Sequence, residues 1–238
     1  MVRLRCFMKS LPIAAGMILL SLIPLFVRAQ EIGYIDLTDN VFRERSRPAQ
    51  RNGGGCGSSP HAQQSQSEVT VTVVSLDKIR YRIGEEVTFE IKVLNSGKKT
   101  IIVPWTPHSG DLEPADAHSS YRYRVSTISL DFKDPQSREF SIFENLYGSP
   151  NVPDSLRELS PGQWFTVRGR KRLVLYDQNL AEKEFGNSEL VETKVSGLYR
   201  QDRGEYYPKN GGSDGWWCIP LPCQKANQLD VTLEKLSY

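Results

Sequence analysis

The chain has 238 residues, with Lys+Arg 30 set against Asp+Glu 28 and a formal net charge of +2. This near-balance of mixed signs leaves no basic footprint for nucleic acid or for an anionic membrane surface. Three histidines and four cysteines confine any acid–base, thiol or metal chemistry to a few positions.

At the N terminus, Arg3, Arg5 and Lys9 precede an apolar run from Leu11 to Val27, and Val27-Arg28-Ala29 follows with small or apolar residues where a signal peptidase reads. The pattern predicts a signal peptide over residues 1–29, and hence a secreted, periplasmic or cell-envelope protein with no membrane span after cleavage. An uncleaved anchor is the alternative, but the run is short for a bilayer and Pro24 interrupts it. No Cys stands just after the run to take a lipid. Removal of Arg3, Arg5, Lys9 and Arg28 takes the net charge from +2 to −2, so the basic character belongs to the leader.

Residues 30–67 read as a tether. Ile32, Tyr34, Ile35, Leu37, Val41 and Phe42 give its first part enough apolar character to dock as one short strand. From Arg43 to Ser67 the composition is Arg, Gly, Ser, Gln and Pro, with almost nothing to bury, which predicts a flexible segment. The cluster Gly53-Gly54-Gly55 is no phosphate-binding loop, because it neither follows a strand nor opens a helix and no Lys-Ser/Thr succeeds it.

Strand signals then recur across 68–238. Val69 to Val74 alternates, and in Glu86 to Leu94 the residues Val87, Phe89, Ile91 and Val93 share one face while Thr88, Glu90 and Lys92 share the other. Thr100 to Val103 follows and Pro104 stops it. Further strands are expected at Tyr121–Phe132, Glu139–Leu146, Trp164–Tyr176, Leu190–Tyr199 and Leu229–Leu236, eight in all. Asp177 to Phe185 alone has a helical flavour. The spacing predicts an all-β fold, an antiparallel sandwich with long loop insertions at 104–120 and 200–228.

Three stretches carry a resemblance. Tyr81-Arg-Ile-Gly-Glu-Glu-Val-Thr-Phe-Glu-Ile-Lys-Val-Leu-Asn95, Leu159-Ser-Pro-Gly-Gln-Trp-Phe165 and Ser196-Gly-Leu-Tyr-Arg200 are similar to the landmarks of bacterial extracytoplasmic immunoglobulin-like domains. More faintly they resemble those of the intracellular proteinase inhibitor family. The resemblance spans about residues 69 to 238, implies an immunoglobulin-like sandwich and carries no activity. It implies a tyrosine corner at Gly197-x-Tyr199, in which the phenol bonds to backbone. The chain departs from a simple domain by inserting 200–228 before its last strand.

Removal of Cys6 with the leader leaves Cys56, Cys218 and Cys223. The shortest pairing is a disulfide between Cys218 and Cys223 around Ile219-Pro220-Leu221-Pro222, with Cys56 bridging to either as the alternative. No catalytic motif is present: there is no Gly-x-Ser-x-Gly elbow, no His-Glu-x-x-His and no Ser-x-x-Lys around His61, His108 or His118. No cofactor or metal is expected. His108, Asp111, Glu113, Asp116 and His118 lie in one loop, but their spacing matches no ligand pattern. Trp105 and Trp164, each beside a Pro or Pro-Gly turn, are expected to cover an open end of the sandwich.

The remaining candidate is the aromatic insertion, where Tyr206-Tyr207 and Trp216-Trp217 flank a Pro-Lys-Asn-Gly-Gly-Ser-Asp-Gly stretch. Exposed rings there would stack on sugars or anchor a protein. Core packing explains them equally well. The expectation is a non-enzymatic binding or structural accessory domain whose partner is a protein or glycan of the cell envelope. A proteinase inhibitor presenting loop 104–120 or 200–228, and a carbohydrate-binding module using the 206–217 aromatics, are the alternatives.

Overall fold

A computed structural model of the chain describes residues 30–38, 68–108, 112, 121–136, 139–173, 190–207, 212–219 and 223–234. The expected signal peptide, the greater part of the tether with Cys56 and the glycine cluster, and the helical stretch at 177–185 lie outside the described residues. Strands dominate the described residues, which also include a 3-10 turn at Pro153–Ser155. In order they are β1 (Glu31–Asp36), β2 (Val69–Leu76), β3 (Arg80–Arg82), β4 (Glu86–Asn95), β5 (Ile101–Pro104), β6 (Tyr121–Lys133), β7 (Glu139–Gly148), β8 (Leu156–Leu159), β9 (Trp164–Arg172), β10 (Leu190–Tyr207), β11 (Gly212–Ile219), β12 (Cys223–Lys225) and β13 (Leu229–Glu234).

Two principal sheets form, in the orders β1-β9-β4-β2-β12 and β3-β13-β10-β6-β7, with β11 added to β10; β5 and β8 make a separate pair. The expectation of a purely antiparallel sandwich is corrected. The pairs β1–β9, β12–β2 and β13–β3 are parallel, and each joins strands far apart in the chain. Parallel neighbours need long connections, and here the intervening sequence supplies them. The interior of both sheets is antiparallel.

The alternation read in β4 is realised: Val87, Phe89, Ile91 and Val93 are buried and Thr88, Glu90 and Lys92 are only partly covered. They share one core with Phe165 and Val167 of β9, Ile128, Leu130 and Phe132 of β6, and Val195 and Tyr199 of β10. The Pro-Gly signal before β9 is a tight turn. Gly162 has φ 79°, the Gln163 N–H donates to the Ser160 carbonyl at 3.0 Å, and the Gly162 N–H donates to the Asn95 carbonyl at 2.8 Å. Pro at the second position and a positive φ at the third are what a type II turn demands.

The tyrosine expectation is corrected. Tyr199 lies wholly inside, its hydroxyl 2.7 Å from Ser126 Oγ across the β10–β6 pairing rather than against a corner backbone. Tyr81 makes the corner-like lock instead: its hydroxyl accepts the Lys78 N–H at 3.0 Å and donates to Asp77 Oδ1 at 2.8 Å. Asp77 Oδ1 also accepts the Thr88 N–H at 2.9 Å, which ties the β2–β3 connection to β4.

β10 of one sheet lies close against β2 of the other at Gly197. A Cβ on Gly197 would lie 2.6 Å from Val71 Cγ1. Gly197→Ala is therefore expected to lose about 1–3 kcal/mol of stability through overpacking, read by urea unfolding with an unchanged m-value. Tyr81→Phe, which strips the Lys78 amide of its acceptor, is expected to cost about 1–2 kcal/mol in the same measurement.

Candidate functional site

The insertion expected as a loop at 200–228 is built largely of strands. β10 runs on past Tyr199 to Tyr207, and β11 returns antiparallel to it. β13 covers one edge of β10 over Leu190–Val195, and β11 pairs with it over Gln201–Tyr207, so the insertion enlarges the six-stranded sheet.

All four aromatic positions fall on this hairpin. Tyr206 is opposite Ser213 on one side and Tyr121 of β6 on the other, Tyr207 is opposite Gly212, and Trp217 is opposite Arg203. The register shifts between Arg203 and Glu205, so that Gly215 and Trp216 together face Gly204. An extra residue of this kind is a β-bulge, which sharpens local twist and re-aims the chain; such bulges concentrate at sheet edges and beside functional sites.

The base of the hairpin is rigidly held. The carbonyl of Ile102 in β5 accepts Gln201 Nε2 at 2.7 Å and Arg124 Nη1 at 3.4 Å, which fastens the β5–β8 pair to the point where β10 leaves the core. Arg200 and Asp202 are paired at 3.1 Å. Burial raises the Asp202 carboxyl above its ordinary range and Arg200 opposes that shift.

The expected Cys218–Cys223 disulfide is not made. Cys218 belongs to β11 opposite Asp202 in the six-stranded sheet, whereas Cys223 is a free, half-buried thiol on β12, which pairs with β2 in the other sheet. Burial pushes the Cys223 thiol up, against the Tyr199 amide and Lys225, so it is a poor nucleophile.

Elsewhere charged side chains satisfy one another. Asp131 accepts Ser129 Oγ at 3.0 Å, Ser141 Oγ at 2.8 Å and Lys225 Nζ at 3.1 Å. A shallow hollow of about 270 Å³ is lined by Arg80, Tyr81, Arg82, Glu85 and Glu234. Glu234 engages Arg80 at 3.5 Å and Arg82 at 3.2 Å, while Lys78 pairs with Glu85. Lys92 Nζ sits 4.0 Å from the Trp164 ring centroid, and Trp105 packs edge-on to Phe165 at 5.5 Å with Arg157 over its face. His108 is exposed, and the rest of the His108–His118 loop apart from Leu112 lies outside the described residues. Among the described residues no group of three His, Cys, Asp or Glu side chains is placed to hold a metal, and no helix is long and apolar enough to cross a membrane.

No family model matches the chain, and no curated protein matches it. Solved structures with some likeness include an alkylpurine DNA glycosylase of Pseudomonas fluorescens bound to abasic-site DNA, at 9% identity and TM-score 0.32 over 71% of this chain and 31% of that one. The sporulation control protein Spo0M of Bacillus subtilis aligns at 14% identity and TM-score 0.27, over 71% of this chain and 49% of that one. A β-glucosidase of Listeria innocua aligns at 14% identity and TM-score 0.29, over 70% of this chain and 16% of that one. The chain thus spans less than half the length of these three proteins, and likeness at such TM-scores carries no argument about function.

One buried ion pair gives a pH test. Glu144 of β7 meets Lys171 of β9 at 3.2 Å, linking the two sheets. Burial raises the Glu144 carboxyl above its ordinary range, with Lys171 pulling it partly back. A raised carboxylate holds a proton that the unfolded chain has released, so its contribution to stability is full at acid pH and is lost as pH rises through the folded value. Glu144→Gln should therefore gain on the wild type in unfolding free energy as pH is raised from 4.5 to 6.5, measured by urea melts. A difference running the other way would show a carboxyl stabilised in its charged form.

Proposed function

We propose that the protein is a non-enzymatic binding or structural accessory domain of the secreted or cell-envelope class, with the β10–β11 hairpin as its contact surface. The observation that carries this reading is the gathering of Tyr206, Tyr207, Trp216 and Trp217 onto one bulged hairpin rooted in the core strand β10. Aromatic residues supply large contact area at low entropic cost and dominate binding hot spots. A rigid base spares part of the ordering cost of association.

The secreted class rests on the leader pattern, in which Arg3, Arg5 and Lys9 precede the apolar run from Leu11 to Val27 and Val27-Arg28-Ala29 follows. An immunoglobulin-like ancestry is supported by the two-sheet sandwich and the Pro161-Gly162 turn ahead of β9. The parallel edge pairs are then elaborations on that plan.

The partner class is a protein or glycan of the envelope. Residues 30–238 passed over immobilised glycans, envelope fractions and proteases should be retained by one of these, with a change in Trp fluorescence. Trp216→Ala or Trp217→Ala should weaken that retention roughly 10- to 100-fold, the loss expected for a hot-spot aromatic. Retention on a polysaccharide would make the protein a carbohydrate-binding module, and capture of a protease with loss of its activity would make it an inhibitor. Retention that neither Trp substitution alters would remove the hairpin as the contact surface.

A further inference from the structure

β1 is an edge strand of its sheet. Among the described residues it pairs with β9 alone, in parallel, with Gly33, Tyr34, Ile35 and Asp36 opposite Phe165, Thr166, Val167 and Arg168. Its seat is elaborate for six residues at an edge. The Leu37 N–H donates to the Arg168 carbonyl at 2.8 Å, Thr166 Oγ1 donates to Glu31 Oε1 at 2.8 Å, and Arg170 Nη2 donates to the Thr38 carbonyl at 2.9 Å. Ile35 and Leu37 enter the main core. Gly33 lies so close to the face of Trp105 that a Cβ there would sit 2.9 Å from Cζ2.

The connection to the rest of the chain is long for what it must span. β1 runs parallel to β9, β9 antiparallel to β4, and β4 antiparallel to β2, so β1 and β2 point the same way. The chain must therefore return along the sheet and cross three strand spacings, a sideways path of about 15 Å. The segment 39–67 reaches roughly 95 Å when extended. A link with that surplus can seat β1 on its own β9 or on the β9 of a neighbour.

We propose that the outer edge of β9, with the Trp105 face and the core gap taken by Ile35 and Leu37, is a strand-accepting site whose occupant in trans is β1 of a second copy of this chain. Every hydrogen bond and apolar contact of β1 is to residues present in any copy, so exchange reproduces them one for one. Reciprocal exchange closes as a two-fold dimer. Closure within one chain benefits from an effective concentration in the millimolar range, so the exchanged form takes over when the link is too short to close.

Deleting residues 41–66 leaves a link of at most roughly 13 Å, less than the three strand spacings. That variant of residues 30–238, which also lacks Cys56, should be a dimer at micromolar concentration by light scattering, while the parent is a monomer. Adding Gly33→Val to the deletion should abolish the dimer. In parallel, the parent carrying a protease site between Asn52 and Gly53 is cut and incubated with a labelled peptide of residues 30–38. The peptide should replace the cut segment, and the same peptide with Gly33→Val should compete at least about tenfold more weakly. A monomeric deletion variant, a dimer indifferent to Gly33→Val, or a cut chain that takes up no peptide would each overturn the proposal. If the deletion variant fails to fold, the cut chain decides alone.

Discussion

The two sheets are held to each other by what happens along β10. Gly197 lets that strand settle against Val71 of the facing sheet, and Tyr199, two residues on, turns its ring edge-on to Phe165 at 6.2 Å while its hydroxyl meets Ser126. Burial raises the phenol far above its ordinary pKa, so it stays neutral and serves as a core side chain with one polar handle. Past this crossing the same strand becomes the first arm of the aromatic hairpin. The placement of the candidate surface is thereby inherited from the packing of the core, a more dependable arrangement than a free loop provides.

Around that contact, the polar groups of the interior serve the fold. Asn95 donates to the carbonyls of Lys99 and Leu159 and accepts the Gly97 amide, which sews the end of β4 to the β5–β8 pair. Ser149 and Ser155 do the same for the turn after β7. Buried polar groups cost several kcal/mol unless partnered, and among the described residues no buried side-chain nitrogen or oxygen lacks a partner. The ion pairs of Glu144 with Lys171 and Asp131 with Lys225 follow the same logic, each neutralising a carboxylate that the sheets have taken from water.

Much of the architecture was legible because period-2 alternation is a local signal. Val69–Val74, Glu86–Leu94 and Leu229–Leu233 declare their buried faces without reference to anything else, and the Pro161-Gly162 turn follows from its own two residues. Less legible were the short strands β3, β8 and β12, whose three or four residues carry too little alternation to read and which form because a partner's edge is there to receive them. The parallel pairings were hidden for a related reason, since direction depends on which distant strand lies alongside. The tyrosine assignment shows the limit of motif reading. Gly197-x-Tyr199 fits a corner pattern, but the lock forms at Tyr81 because Asp77 and the Lys78 amide are within its reach. For the candidate surface, the aromatic residues stood out by composition. Their arrangement depended on β10 being long enough to offer an edge to β11.

The strand order also sets a timetable for the growing chain. β4 receives β2 on one side early, yet its other side is covered only once Trp164–Arg172 has been made, and β3 waits for Leu229–Glu234 at the far end. Until then Phe89, Ile91 and Val93 have an incomplete roof, and an open edge lies beside them. A nascent chain of this design emerges with its most apolar strand ahead of the segments that shield it, so its yield should depend more on what holds that strand apart from its neighbours during synthesis than on the stability of the finished sandwich.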